Sequence, residues 1–359
     1  MRDEARAREL VLAHGWNAMA FQIVNPGISH WFSARGDAVV GYVARGGTRV
    51  VAGGPVCSED RLLEVVREFG ESAAADGQRV CYFGAGARLE QALIDTGGWS
   101  AAMLGAQPSW DPTRWAAIVS AHASLRAQLN RARNKGVIVT EQPTGSAQLE
   151  GELRRCLDEW LSQRGLPPLH FVVEPETLGH LRDRRLFVAA RAGAVVAFLL
   201  ASPVPARGGW LVEQIVRSRV APNGTSELLL DSAMRALAND GARYVTLGLA
   251  PLSRHSRFDV ARMPLWLRLT LRWVRAHGRR FYDFEGLDRF KTKFRPEHWE
   301  EIVAIADSPH FPPRALWAIA AAFAQGSPAG LIGRALFRAA RQEGRWMRSA
   351  LRRAVPGSS

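Results

Sequence analysis

The segment that decides the fold runs from Gly209 to Leu247 and reads GWLVEQIVRSRVAPNGTSELLLDSAMRALANDGARYVTL. A β-rich run ends in an arginine-bearing loop, and a Pro-Asn-Gly-Thr-Ser turn then opens a strongly helical stretch. This order predicts a helix from about Ser226 to Asn239, closed by Asp240-Gly241, and a further strand from Arg243 to Leu247. Strand, turn, helix and strand in this order indicate a mixed α/β domain.

The turn before this helix is a candidate anion site. The first N–H groups of a helix lack partners within the helix, and the helix dipole makes that end positive. Arg217 and Arg219 add charge beside the turn. Such a site suits a phosphate, or a carbonyl oxygen that becomes negative during acyl transfer. An ordinary capped turn has the same pattern, so both interpretations stay open.

The same plan occurs twice along the chain. Glycine-containing turns at Gly46-Gly47 and Ala192-Gly193 each separate two β-rich runs, which is typical of hairpins. In both copies a strand, a helix and another strand follow. After the first copy, beyond about Thr96, a Trp- and Pro-containing loop is expected. We therefore predict two mixed α/β domains divided at the turn-rich stretch Thr140–Ser146, and a helical extension: 1–143, 144–308 and 309–359.

A second candidate segment, Arg279–Trp299, reads RRFYDFEGLDRFKTKFRPEHW. On a helix that begins near Gly286, Arg289 and Lys293 lie four residues apart and would share a face. A lysine among aromatic side chains could bind a phosphate or a carboxylate, or act as a perturbed acid or base. A surface charge cluster is the alternative.

A third segment, Ser124–Gly136, predicts a basic helix. Helical spacing places its apolar residues on one face and its cations outward: Leu125, Leu129 and Ala132 against Arg126, Arg131, Arg133 and Lys135. The cations are either a stripe that contacts phosphates or a solvated face.

The charge balance points to a polyanionic partner. The 359 residues include 47 Lys and Arg against 34 Asp and Glu, a net charge of +13. Eight arginines and one acidic residue lie in 311–359, interleaved with apolar residues. This basic tail could contact anionic lipid or RNA phosphates, or pack on the second domain.

Several classes of protein are disfavoured by missing signals. The three cysteines form no CxxC pair, which favours a reducing cytosol over a disulfide or zinc scaffold. HExxH, GxSxG and P-loop patterns do not occur, and Gly84-Ala85-Gly86 lacks the third glycine of a dinucleotide fingerprint. The charged N-terminus is unlike a signal peptide, and no apolar run is long enough to span a bilayer. Peripheral binding at the inner membrane face stays open.

Six blocks of the sequence resemble one bacterial family. The blocks are GWNAMAFQIVNPGISHWFS, VVAGGPVCSED, LRAQLNRARNKG, APNGTSELL, YVTLGLAPLS and FYDFEGLDRFKTKFRPEHW, between about Trp16 and Ala306. Their order and spacing are similar to those of the catalytic domain of phosphatidylglycerol lysyltransferases, the aminoacyl-phosphatidylglycerol synthases. The resemblance implies two tandem GNAT-like (acetyltransferase-like) domains of mixed α/β class.

The resemblance also implies a reaction, in which an aminoacyl group passes from aminoacyl-tRNA to a lipid hydroxyl without a metal or organic cofactor. The nucleophile then belongs to the acceptor. Lys293 and Arg289 are expected to hold a phosphate, and Glu213 or Glu285 an ammonium group or a proton. The candidate catalytic residues are Glu213, Glu285 and Lys293. The candidate substrate-binding residues are Arg217, Asn223, Gly224, Thr225, Arg289, Arg131 and Arg133.

Two other functions stay open at this point. The same chemistry could act on a soluble acceptor such as a metabolite or a cell-wall precursor. A GNAT-like protein without activity could bind only RNA or membrane. An acetyl-CoA transferase is disfavoured because APNGT lacks the Gly-x-Gly/Ala pattern that brings backbone close to the CoA pyrophosphate.

Overall fold

The computed structural model describes residues 2–94, 96–143, 147–163, 170–173, 176–256, 263–277 and 283–324. Over these residues the chain is of the mixed α/β class predicted above. Its strands are β1 Ser29–Phe32, β2 Val39–Arg45, β3 Thr48–Ala52, β4 Arg79–Ala85, β5 Ser100–Trp110, β6 Val137–Gln142, β7 Arg185–Arg191, β8 Ala194–Val204, β9 Gly209–Arg217, β10 Tyr244–Thr246, β11 Ala250–Pro251 and β12 His298–Ala306.

Helices cover both faces of these strands. They are α1 Arg2–His14, α2 Leu62–Ala75, α3 Ala87–Ile94, α4 Trp115–Ala121, α5 Ala123–Asn134, α6 Ala147–Ser162, α7 Thr225–Asn239, α8 Leu265–His277, α9 Phe284–Thr292 and α10 Pro313–Ala324. A short 3-10 helix at Ala20–Val24 follows α1. Within the described ranges, no helix is both long and apolar enough to cross a membrane.

The strands form one sheet in the order β1-β2-β3-β4-β12-β5-β10-β9-β8-β7-β6, and β11 pairs with β5. Strand β5 is antiparallel to β12 on one side and to β10 on the other, so it joins the two halves of the sheet. Strand β12 comes late in the chain but lies between β4 and β5. The first half of the sheet is therefore completed by a distant segment. The predicted boundary at 143/144 stays a prediction.

Both predicted hairpins are confirmed. Strands β2 and β3 pair around Gly46-Gly47, whose φ angles are +54° and +70°. Strands β7 and β8 pair around Ala192-Gly193, with φ angles of +49° and +79°. Positive φ at both central residues is the geometry that matches the twist of antiparallel strands.

The predicted loop beyond Thr96 is wrong, because those residues form the long strand β5. Gly105 and Pro108 lie inside it, and both residue types are unfavourable in strands. Pairing on both edges outweighs this preference: Pro108 lies opposite Trp299 of β12, and its carbonyl accepts a bond of 2.7 Å from the Thr246 hydroxyl. Tertiary pairing thus overrides local propensity.

The apolar core is shared between the two halves. One buried cluster joins α1, the 3-10 helix and the first strands to residues from α8 and α10. Helix α10 buries Ala315, Ala318, Ile319 and Ala322, so the start of the predicted extension packs on this core. Residues 325–359, which include most of the basic tail, lie outside the described residues. A second cluster surrounds α5 and α7 and fixes the segment that forms the site.

Candidate active site

A cavity of about 1120 Å³ lies where β9, the start of α7 and the end of α9 meet the first half of the sheet. It brings together six of the ten predicted site residues. These are Arg131, Glu213, Arg217, Asn223, Gly224 and Lys293. They come from three separate segments of the sequence, α5, β9 to α7, and α9, and the fold gathers them around one space.

The turn before α7 is shaped by close contact with α5. Gly224 has φ +97°, and a Cβ atom there would lie 2.2 Å from the backbone oxygen of Gln128. Only glycine fits both constraints. Asn223, Gly224 and Ser226 line the cavity. The N-terminal end of α7 therefore lies at the cavity wall, where the helix dipole is positive.

Thr225 stabilises this turn rather than lining the cavity. Its side chain is fully buried, and its hydroxyl donates a hydrogen bond of 2.7 Å to the carbonyl oxygen of Pro222. The backbone N–H of Thr225 also donates to that oxygen, at 3.2 Å. Thr225 does not line the cavity, so no direct contact supports its predicted role in substrate binding.

A lysine and a carboxylate meet at the cavity wall. The Nζ atom of Lys293 lies 2.7 Å from Oε1 of Glu227, and both residues line the cavity. The Lys293 side chain is 37% exposed and that of Glu227 is 11% exposed, so the ammonium is accessible while the carboxylate is largely enclosed. The ammonium also lies 4.2 Å from the centre of the Phe290 ring. The surrounding aromatic side chains hold it in one place.

Glu213 belongs to a buried polar network that joins the two halves. Arg184 Nε donates to both carboxylate oxygens of Glu213 at 3.1 Å, and Gln22 Nε2 donates to one of them at 2.7 Å. Arg184 also donates to Asn25 Oδ1 at 2.8 Å, and Asn25 donates to Gln22 Oε1 at 2.8 Å. The Arg184 and Glu213 side chains are 1% and 5% exposed. Glu213 thus forms the floor of the cavity with its charge already paired.

Lys291 holds another wall of the cavity. Its ammonium is buried and donates to three successive carbonyl oxygens, those of Leu247, Gly248 and Leu249, at 2.8, 2.7 and 2.8 Å. Those three residues and Lys291 itself line the cavity. Three acceptors match the three donors of an ammonium group. Burial opposes the charge and lowers the pKa of Lys291 from its usual value of 10.5 to about 7.

This shift makes stability depend on pH. Between about pH 7 and pH 10 the unfolded chain binds more protons at Lys291 than the folded chain does, so stability rises with pH in that window. We expect the free energy of unfolding of the wild-type protein minus that of Lys291→Met to increase by about 1.4 kcal/mol per pH unit in this window. Urea unfolding at several pH values measures it. Lys135→Met at an exposed site should show a constant difference, and a constant difference for Lys291→Met would contradict the shift.

Three predicted residues lie away from the large cavity. Glu285 and Arg289 line a separate, smaller cavity of about 160 Å³, and Arg289 Nε donates to the backbone oxygen of Glu285 at 3.3 Å. Arg133 is in an ion pair of 3.0 Å with the buried carboxylate of Asp231. Lys293, the C-cap of α9, keeps helical φ and ψ angles of −62° and −21°, and its N–H donates to the carbonyl oxygen of Arg289 at 3.1 Å. The expected helical spacing is therefore present, but Arg289 and Lys293 line different cavities.

The predicted basic helix is confirmed as α5. It buries Leu125, Leu129 and Ala132 and leaves its cations exposed. Among those cations, Arg131 reaches the large cavity.

Sequence reasoning missed three residues that the fold brings to the site: Glu227, Arg184 and Lys291. Glu227 carried a usable signal, because an acidic residue in the first turn of a helix is typical of the positive end. Lys291 lies two residues from Lys293 in the same motif. Its burial sets it apart from Lys293, and burial is seen only in the folded structure. Arg184 lies outside every motif and has no signal in the sequence.

The family of the chain follows from comparison with known proteins. Residues 8–305 match the family model described as "Phosphatidylglycerol lysyltransferase, C-terminal". The chain belongs to this family.

Two relatives are similar to this chain in sequence. A phosphatidylglycerol lysyltransferase from Bacillus subtilis strain 168 is 26% identical over 273 residues, which cover 74% of this chain and 31% of the relative. An uncharacterized protein from Corynebacterium glutamicum is 22% identical over 319 residues, which cover 82% and 38%. The chain therefore spans about a third of the length of the curated relatives it matches.

Two solved structures share the fold. A C-terminal domain assigned to a lysylphosphatidylglycerol synthetase from Agrobacterium fabrum has a TM-score of 0.76 at 24% identity, covering 90% of this chain and 98% of that one. The L-PGS structure from Bacillus licheniformis has a TM-score of 0.73 at 23% identity, covering 93% and 95%. At this identity the similarity establishes the fold alone.

Proposed function

We propose that this chain transfers an aminoacyl group from aminoacyl-tRNA to the hydroxyl of phosphatidylglycerol or a related lipid. One observation carries the proposal: a single cavity combines cations with an extensive apolar lining. Arg131, Arg217 and Lys293 contribute the cations. The apolar lining comes from both halves of the chain, and includes Met19, Phe83, Leu104, Leu211, Leu249, Phe290 and Phe323.

The two kinds of lining suit the two parts of an amphiphilic acceptor. A phosphodiester headgroup and the phosphates of a tRNA end need cations, which Arg131, Arg217 and Lys293 supply. The first part of an acyl chain needs apolar surroundings, which the apolar lining supplies.

The proposed reaction is an ester exchange. The lipid hydroxyl oxygen attacks the carbonyl carbon of the aminoacyl ester, and a new lipid ester bond forms as the bond to the ribose oxygen breaks. The proton leaves the attacking hydroxyl and ends on that ribose oxygen. The chain contributes no nucleophile, so its part is to position both substrates and to stabilise the developing oxyanion.

The geometry suggests a role for each group at the wall. The turn at Asn223 and Gly224 presents N–H donors to the oxyanion. Lys293 holds a phosphate or the oxyanion. Glu227 is better suited than Glu213 to relay the proton or bind the substrate ammonium, because its partner Lys293 is 37% exposed at the cavity wall, whereas both oxygens of Glu213 accept from the buried Arg184 and one also accepts from Gln22. The aminoacyl-tRNA donor implies work at the cytoplasmic face of the membrane.

Incubation of the purified chain with a mixture of aminoacyl-tRNAs and phosphatidylglycerol in detergent micelles tests the proposal. Mass spectrometry should detect aminoacyl-phosphatidylglycerol, and should identify which amino acid is carried. If conjugates form only with added soluble acceptors, the acceptor is a soluble molecule and not a lipid. If protein that still binds tRNA forms no conjugate of any kind, the chain is a binding protein without transferase activity.

A further inference from the structure

Helix α8 has an inward face that belongs to the core. Met263 just before the helix and Leu267 within it are buried in the core cluster shared by both halves, and Trp266 and Leu271 pack against that cluster. Val274, on the same side, lines the large cavity. One side of α8 is therefore fully used by the fold.

The outward face of α8 is also apolar. Leu265 is 66% exposed, Leu269 is 55% exposed and Trp273 is 61% exposed. Their spacing of four residues places them in one stripe along the helix. Large apolar residues exposed together on one helix face differ from the scattered exposed residues of ordinary surfaces, and they indicate an interaction site.

The Asp, Glu, Lys and Arg content of α8 itself is of one sign. The helix sequence LWLRLTLRWVRAH contains three arginines and no acidic residue. Arg268 and Arg272 lie along one edge of the stripe by helical spacing, and in the described part of the chain neither is in an ion pair with a carboxylate. An apolar stripe flanked by cations is complementary to a surface of anionic headgroups above acyl chains.

We propose that the outward face of α8 docks the protein on an anionic membrane surface, with Leu265 and Leu269 inserted among the acyl chains and Arg268 and Arg272 at the headgroups. The opposite side of the same helix lines the cavity through Val274. Docking here would bring the cavity next to the bilayer, and the use of that position for transfer rests on the proposed lipid acceptor. The docking itself needs no tRNA and no acceptor.

Flotation of the whole 359-residue chain with vesicles of phosphatidylcholine and phosphatidylserine tests the docking. Phosphatidylserine supplies negative charge without being the proposed acceptor, so flotation reports surface binding and not occupation of the cavity. We expect the double variant Leu265→Gln/Leu269→Gln to bind at least about tenfold more weakly. We expect Arg268→Gln and Arg272→Gln to weaken binding by about fivefold each, and the effect of these two to vanish on vesicles of phosphatidylcholine alone.

Matched variants exclude other surfaces. Leu63→Gln/Ile138→Gln removes two leucine-sized residues that are 49% and 67% exposed on other elements, and should float like the wild-type protein. The triple variant Arg345→Gln/Arg348→Gln/Arg352→Gln removes charge from the basic tail. If this variant does not float and the α8 variants still float, the basic tail is the docking element and the proposal is overturned. It is also overturned if the wild-type protein does not float, or if the α8 double variant only converts a dimer to a monomer, since a second copy would then cover the face.

Transfer assays separate this proposal from the proposed function. The α8 double variant should keep transfer to phosphatidylglycerol in micelles and lose transfer to the same lipid in vesicles. If the wild-type protein transfers nothing in micelles but the α8 variants still lose flotation, the proposed function fails and the docking stands.

Discussion

Replacing Lys293 with alanine is expected to lower the rate of aminoacyl transfer by at least about 100-fold while the protein remains folded. The ammonium lies at the cavity wall, 37% exposed and 2.7 Å from Glu227. Its removal takes away the cation proposed to face the phosphate or the oxyanion, and leaves the Glu227 carboxylate without its partner. Single-turnover transfer from aminoacyl-tRNA to phosphatidylglycerol in micelles measures the effect, and circular dichroism checks the fold.

The chain provides a sharp control for this experiment. It contains only three lysines, and Lys135 is exposed at the end of α5, outside the cavity lining. Lys135→Ala should keep nearly the full rate. Arg289→Ala, at the smaller cavity, should have a much smaller effect than Lys293→Ala. Equal losses for Arg289 and Lys293, or a nearly normal rate for Lys293→Ala, would contradict the assignment of the large cavity as the active site.

Replacing Arg184 with methionine is expected to destabilise the protein by about 3–5 kcal/mol. Glu213 would then keep a buried charge without its cation, and Asn25 would lose a donor. The cost is large because the two side chains are 1% and 5% exposed, so water cannot replace the lost partner. Urea unfolding monitored by tryptophan fluorescence measures the change.

An exposed ion pair in the same chain is the matched control. Arg67 and Glu71 lie 3.9 Å apart, and their side chains are 70% and 72% exposed. Arg67→Met should change stability by less than about 1 kcal/mol, because water screens such a pair. If Arg184→Met costs no more than Arg67→Met, the buried network does not hold the two halves together as described.

The parts of the fold that are local in sequence could be predicted. Both hairpins follow from glycine-containing turns, and the helix after the APNGT turn follows from its pattern and its cap. Strand β5 could not be predicted, because Gly105 and Pro108 argue against a strand and only pairing with distant strands on both of its edges overrides them. The same holds at the site. The sequence motifs identified six residues that line the large cavity. The pairing of Glu213 could not be predicted, because it includes a hydrogen bond from Gln22, which lies 191 residues away in the sequence.

Periodicity could not predict that Arg289 and Lys293 line different cavities. Helical geometry continues through Lys293, whose N–H donates to the carbonyl oxygen of Arg289 at 3.1 Å. The cavity that each side chain lines depends on the elements packed around α9, which are distant in sequence. The partner of Lys293, Glu227, belongs to another helix altogether.

The position of β12 has a consequence during synthesis. Strands β4 and β5 leave the ribosome early, but the strand that lies between them ends at Ala306. At about 5–20 residues per second, the interval between Trp110 and Ala306 is on the order of 10–40 s. For that time the nascent chain has two strand edges that wait for their neighbour, and such edges are where chaperones and aggregation compete.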